Sequence, residues 1–185
     1  MTRETTPGQL VIVRAYQEDH IDALFMAVSE SIPELARYET WCHPGYTRDE
    51  AAEYVTWWRK AWIEGSAFYF AIEEQGSGNF LGSCGLSDLC KEHKRAALGF
   101  WIRSSCTGRG YATDAARAVM RLGFEDLGLA RIEVEIALDN VASRRVAEKL
   151  GCKLEGVLRQ RLILPAGPTD TAMYALLHDD RYGRD

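Results

Sequence analysis

Residues 97–120, ALGFWIRSSCTGRGYATDAARAVM, constrain the fold more than any other stretch of the chain. An apolar, β-prone run ends near Arg103. A glycine-rich turn follows at Gly108-Arg109-Gly110-Tyr111-Ala112, and helical spacing starts at once at Thr113. Glycines let the backbone take left-handed conformations and lie close to a ligand. The first turn of a helix offers N–H groups with no internal partner, together with the positive end of the helix dipole. A strand, a glycine turn and a helix N-terminus in that order make a socket for a pyrophosphate. Taken alone, the turn reads equally as a structural bend or as a ligand socket. A dinucleotide fold is disfavoured. Thr113 stands where its third glycine belongs, and Glu133 and Glu135 lie within an alternating strand rather than at its end. The turn also sits mid-chain, after a run of strands.

The rest of the chain supplies the elements around this unit. Leu10–Arg14 is a short β-rich run. Asp19–Ser31 carries Ile21, Leu24, Phe25 and Val28 at helical spacing, and the pattern turns mixed from Ser31 to Tyr46. Thr47 and Glu50 form a Thr-x-x-Glu capping box. The helix it opens sets Ala51, Tyr54, Val55, Trp58 and Trp62 on one stripe, with Gly65 as its stop. Strands are predicted over Ala67–Glu73, Phe80–Leu86 and Ala96–Arg103. A helix follows over Thr113–Leu127, burying Ala116, Val119, Met120, Phe124 and Leu127. Arg131–Leu138 alternates as a half-buried strand does. Val141–Leu150 is a short helix closed by Gly151, and Cys152–Leu164 and Thr169–Leu177 make a final strand pair. Gly76-Ser77-Gly78-Asn79 and Pro165-Ala166-Gly167-Pro168 read as turns, not linkers. The expectation is a single domain over 1–185 with its core at 10–177. Its class is α+β, with a mixed, mostly antiparallel sheet of about seven strands.

Composition narrows the partners. The net charge of -5 supplies no basic footprint for nucleic acid and suits a cationic small molecule or a basic protein partner. Five cysteines, odd in number and scattered, read as reduced thiols. The start, MTRETTPGQLVIV, has no apolar run after a basic opening, and no stretch is long enough to span a bilayer. A cytoplasmic protein with no nucleic-acid and no membrane partner is expected. Cys84, Cys90 and His93 do not follow a common zinc spacing, so no metal is expected. Cys42 and His43 are adjacent, which keeps their side chains from meeting as nucleophile and base. Trp57, Trp58 and Trp62 are read as core packing, and Tyr38 and Trp41, in the irregular segment, as candidates to line a binding pocket.

A second segment breaks the tie left by the glycine turn. After Arg131–Leu138 comes Asp139-Asn140-Val141-Ala142-Ser143-Arg144-Arg145-Val146-Ala147-Glu148-Lys149-Leu150-Gly151-Cys152. Gly-x-Gly-Tyr-Ala at a strand-to-helix turn, then a strand, then Asn-x-x-Ser-x-x-Val-x-x-x-x-Gly, resembles the GNAT acetyltransferase superfamily. The flanks Leu98-Gly99-Phe100-Trp101-Ile102 and Leu154-Glu155-Gly156 resemble its branch that acetylates ribosomal-protein N-termini. The resemblance runs from about Leu10 to Leu177 and is strongest between Ala97 and Gly156.

This resemblance implies a GNAT-like sheet with helices on both faces. Its central strands, matching Leu98–Arg103 and Arg131–Leu138, would splay apart around the pantetheine arm of acetyl-CoA, the cosubstrate. Backbone groups of Ile102 and Arg103 would pair with that arm. Gly108, Arg109, Gly110, Tyr111, Ala112 and Thr113 would hold the pyrophosphate, and Asn140 would bond the pantetheine. Ser143 would lie near the thioester sulfur as the candidate acid. Arg144, Arg145 and Lys149 are candidates for outer phosphate contacts. The implied reaction is direct attack of a primary amine, on a protein N-terminus or a small molecule, on the thioester. The alternative is a catalytically silent acetyl-CoA sensor or scaffold. Members of the superfamily often dimerise, which leaves a homodimer open.

The chain departs from the pattern at four positions. Thr107 replaces the usual Gln or Arg, and Ala147 replaces a tyrosine acid. Ala97 and Leu162 stand where relatives carry glutamates, the second of them thought to be the base. The base is therefore unassigned, with Glu39, His43 and Asp88 as candidates in segments that could border the acceptor cleft.

Overall fold

The computed structural model describes residues 3–182. In chain order the strands are β1 (Thr5–Pro7), β2 (Val11–Ala15), β3 (Phe68–Glu74), β4 (Phe80–Cys90), β5 (Arg95–Ile102), β6 (Arg131–Ala137), β7 (Lys153–Leu164) and β8 (Gly167–Leu177). The helices are α1 (Ile21–Leu35), α2 (Arg48–Glu64), α3 (Tyr111–Glu125), α4 (Val141–Lys149) and α5 (His178–Tyr182). One eight-stranded sheet runs in the order β1-β2-β3-β4-β5-β6-β8-β7. Every neighbouring pair is antiparallel except β5 and β6. The fold is thus α+β with a mixed, mostly antiparallel sheet. The strand beyond the expected seven is β1, too short and too polar to carry a β pattern.

Alternation along the strands builds a core on each face. Phe68, Phe70 and Ile72 of β3 and Ile132, Val134 and Ile136 of β6 pack with Ala116, Val119 and Met120 of α3 and with Ala147 of α4. On the other face Ala71 and Trp101 pack with Leu24, Ala27 and Val28 of α1 and with Ala51 and Val55 of α2. Helices cover both faces. No helix among the described residues is long and apolar enough to cross a membrane.

Local signals place α2. Thr47 and Glu50 form the reciprocal capping box, and Gly65 ends the helix in the left-handed region at φ 65°. Trp57 corrects the expectation of core packing for all three helical tryptophans, since the residue is 66% exposed. It lies about 100° around the helix from Trp58, which pairs with the core stripe. The first helix runs to Leu35, past the break expected at Ser31. Leu35 is buried and Ser31 Oγ donates to the Ala27 carbonyl at 2.7 Å, so packing carries the helix through Pro33.

Two long-range contacts fix the frame of the site. Gly85 and Gly99 face each other across β4 and β5, and a Cβ on either would lie within 2.4 Å of Tyr69. The glycine pair is a trough for the Tyr69 ring, which Trp58 covers in a stacked contact at 3.9 Å. Asp114, in the first turn of α3, accepts the Leu10 and Val11 amides at 2.7 and 3.1 Å. This buried carboxylate ties the start of β2 to the helix that follows the glycine turn. A Cβ at Gly8 would meet Asp114 Oδ2 at 2.2 Å, so only glycine fits there.

Candidate active site

The site begins where the sheet comes apart. β5 and β6 pair over Arg95–Ala97 and Arg131–Glu133, and beyond these residues they no longer pair with each other. β5 nevertheless continues to Ile102 and β6 to Ala137. Two extended strands diverging from a shared base leave backbone groups turned into the gap. The outward partners fix which ones. The Arg103 amide donates to the Leu81 carbonyl of β4 at 2.8 Å, so alternation turns the backbone of Leu98, Phe100 and Ile102 toward the gap. The amide expected from Arg103 is therefore committed elsewhere. Its side chain is bonded to Glu30 and sits outside the cleft lining.

At the open end of the gap lies a cleft of about 710 Å³. One wall is the glycine turn. Gly108 and Gly110 take φ 76° and 88°, values that disfavour any side chain. Gly110 is the N-cap of α3, and the first helical bond runs from the Asp114 amide to its carbonyl at 3.0 Å. The amides of Tyr111, Ala112 and Thr113 precede that bond and lack helical acceptors. Gly108, Gly110, Tyr111, Ala112 and Thr113 all line the cleft. Arg109 does not, and its guanidinium is turned back onto the Ser105 carbonyl at 3.2 Å.

The facing wall is the start of α4. Asn140 is its N-cap, with Oδ1 accepting the Ser143 amide at 3.1 Å, so its side-chain NH₂ is left as the donor. Arg145 and Lys149 line the cleft. Arg144 does not, which corrects its expected phosphate role. It points to the sheet, donating to Tyr174 Oη and the Leu138 carbonyl, each at 3.2 Å.

A smaller pocket of about 110 Å³ occupies the gap between β5 and β6. Tyr38, Glu39, Phe100, Asn140 and Ser143 line both it and the large cleft, so they stand at the junction. The Ser143 hydroxyl has no hydrogen-bond partner among the described residues. Burial pushes the Glu39 carboxyl up to about 7, against a hydrogen bond from Trp41 Nε1 at 2.8 Å that pulls it down. Trp41 lines neither space. It packs on Tyr46, Tyr54 and Trp101 and acts on the site through Glu39. Leu162 lines the small pocket, leaving that wall apolar.

The other candidate bases lie elsewhere. His43 is exposed, bonded to Glu50 at 2.7 Å beside the α2 cap. Asp88 is exposed near the end of β4. Among the described residues no group of three or more His, Cys, Asp or Glu is placed to hold a metal ion.

Comparison with known proteins agrees with this geometry. A family model described as Acetyltransferase (GNAT) domain matches residues 11–153. The chain is 28% identical over 167 residues to the uncharacterized N-acetyltransferase YoaA of Bacillus subtilis (strain 168), covering 90% of this chain and 93% of that one. It is 24% identical over 183 residues to the ribosomal-protein-serine acetyltransferase of Escherichia coli (strain K12), covering 98% and 100%. Among solved structures, RimL, a ribosomal L7/L12 alpha-N-protein acetyltransferase in complex with coenzyme A, superposes with a TM-score of 0.86. That likeness of fold comes at 24% identity and spans 96% of this chain and 99% of the other. With the family match extending over well more than half its length, the chain is an acetyltransferase of the GNAT family.

Proposed function

We propose that this chain transfers the acetyl group of acetyl-CoA to a primary amine, with Glu39 taking the amine's proton and Ser143 returning one to the departing thiolate. The observation that carries the reading is the position of both groups at the junction of cleft and pocket. An ammonium has no lone pair, so the acceptor must lose a proton before it attacks. A base works best when its pKa lies near the working pH, and Glu39 titrates at about 7.

The remaining parts have clear tasks. The open amides of the glycine turn and the dipole of α3 suit the pyrophosphate. The Asn140 NH₂ and the gap-facing backbone of β5 suit the amide groups of the pantetheine arm. An amide turned into the gap from Leu98, Phe100 or Ile102 would stabilise the charge that develops on the carbonyl oxygen. Bound acetyl-CoA supplies an activated acyl group on a good leaving thiol. The chain orients it and moves the protons.

Glu39 also answers the departure at Leu162. Both residues line the small pocket, so the carboxylate missing from β7 is supplied by the segment after α1. That weakens the silent-sensor alternative. The acceptor is a protein N-terminus, in keeping with the E. coli relative's name, or a small-molecule amine. CoA release from acetyl-CoA with a panel of amines and short peptides tests the reading. Acceptor-dependent release supports it, and tight acetyl-CoA binding without release on any acceptor contradicts it.

A further inference from the structure

Acetyl transfer uses one of two carboxylates in the small pocket. Glu39 and Glu135 are its charged lining residues, and no basic side chain joins them. Ile132, Val134 and Ile136 take the core face of β6, so alternation turns Glu133 and Glu135 to the other face. Glu133 is neutralised twice, by Arg95 Nη1 at 3.1 Å and Arg131 Nε at 2.7 Å. Among the described residues Glu135 is bonded by Arg161 alone, through Nε at 3.2 Å and Nη2 at 2.9 Å, both on Oε1. Its Oε2 has no hydrogen bond among the described residues. A guanidinium usually grips a carboxylate through both oxygens, so this grip is partial.

Arg161 reaches Glu135 by an irregularity in its strand. Pairing of β7 with β8 jumps from Leu158↔Thr171 to Leu162↔Thr169, which sets Arg159, Gln160 and Arg161 against Asp170 alone. Gln160 sits in the left-handed region at φ 48°, its amide held by Asp170 Oδ1 at 2.8 Å. Bulges beside functional sites re-aim side chains, and strained non-glycine residues gather there. Here the bulge presents Arg161 to the pocket carboxylate. The Arg161 side chain is 56% exposed and that of Glu135 25%, so the guanidinium can swing into solvent.

We propose that Glu135 anchors a second positive charge on the acceptor, and that Arg161 holds its place until such an acceptor displaces it. The inference rests on the acetyl-transfer reading above and names its substrate class. The acceptor is a primary amine with a second cationic group a few atoms away, as in a diamine or in a peptide N-terminus followed by a basic side chain. A carboxylate-bearing acceptor fits poorly, because Glu39 and Glu135 both line the small pocket and no basic side chain joins them. The net charge of -5 favours the same choice.

The test compares kcat/KM for 1,4-diaminobutane over butylamine, and for a Ser-Lys over a Ser-Leu dipeptide amide. The two pairs separate the two sources of the second charge. The unmodified chain should prefer the dication of at least one pair by about tenfold. Glu135→Gln should bring that ratio toward unity. Arg161→Ala should raise it, because the competing guanidinium is gone. A native ratio near unity in both pairs, a ratio unmoved by Glu135→Gln, or a ratio lowered by Arg161→Ala would overturn the assignment. Arg161 is exposed, so its variant reports even if Glu135→Gln misfolds. Turnover of butylamine and Ser-Leu amide in the same assays reads acetyl transfer separately. Absence of turnover on every acceptor would overturn both readings.

Discussion

Replacing Glu39 by Gln separates what its carboxyl does for the reaction from what it costs the fold. Burial raises the group from 4.5 to about 7, opposed by the Trp41 hydrogen bond. At acid pH the carboxyl is protonated in both the folded and the unfolded chain and costs nothing. As the pH rises from 4.5, the unfolded chain releases its proton first, so stability falls. The loss is complete above about 7. At about 1.4 kcal/mol per pH unit the displacement is worth about 3 kcal/mol, and partial exposure trims it to about 2 kcal/mol. Glutamine keeps the shape, still accepts the Trp41 N–H and carries no charge. In urea denaturation at about pH 8, Glu39→Gln should be more stable than the unmodified chain by about 2 kcal/mol. At about pH 4 the two should unfold together. In the same samples CoA release at saturating amine should drop by about a hundredfold or more and lose its rise near pH 7. A variant with unchanged stability at the higher pH, or with the native pH–rate profile, would refute the reasoning.

Other substitutions probe the neighbouring parts. Trp41→Phe removes a donor that favours the charged carboxylate, so the rising limb of the pH–rate profile should move to higher pH, and a shift to lower pH would exclude the link. Ser143→Ala should lower kcat more than it weakens acetyl-CoA binding by calorimetry, and unaltered turnover would leave Ser143 a helix residue only. Asp114→Ala strips the acceptor from two amides at the start of β2, so thermal or urea unfolding should show a loss of about 2–3 kcal/mol. A loss below about 0.5 kcal/mol would mean that water replaces the carboxylate.

What could be read from the chain was whatever local bonding writes into neighbouring residues. Thr47, Glu50 and Gly65 bracket α2 because a cap is made within one turn of its helix. The alternation of β6 is visible because one face meets the core and the other does not. The glycine turn and Asn140-x-x-Ser143 are equally local, and the structure sets them on facing walls of one cleft. Long-range geometry was not legible. Asp114 reaches Leu10 and Val11 across most of the chain, and nothing near it in sequence announces the bond. Which amides of β5 face the gap depends on the phase fixed by Leu81, so Ile102 and Arg103 could not be told apart. Glu39 looks no different from His43 or Asp88 in the sequence, and only the fold buries it, raises its pKa and places it where the small pocket meets the cleft. Arg144 and Arg145 are adjacent on α4, and only the helix's orientation sends one to the sheet and the other to the cleft.

The most direct test of the account is CoA release from acetyl-CoA, read by a thiol reagent across amines and short peptides. A control without acceptor subtracts the protein's own five thiols. The account expects release that depends on a primary amine, rises toward pH 7 with the ionisation of Glu39, and collapses in Glu39→Gln. Amine-dependent release that is indifferent to both pH and Glu39 would contradict it.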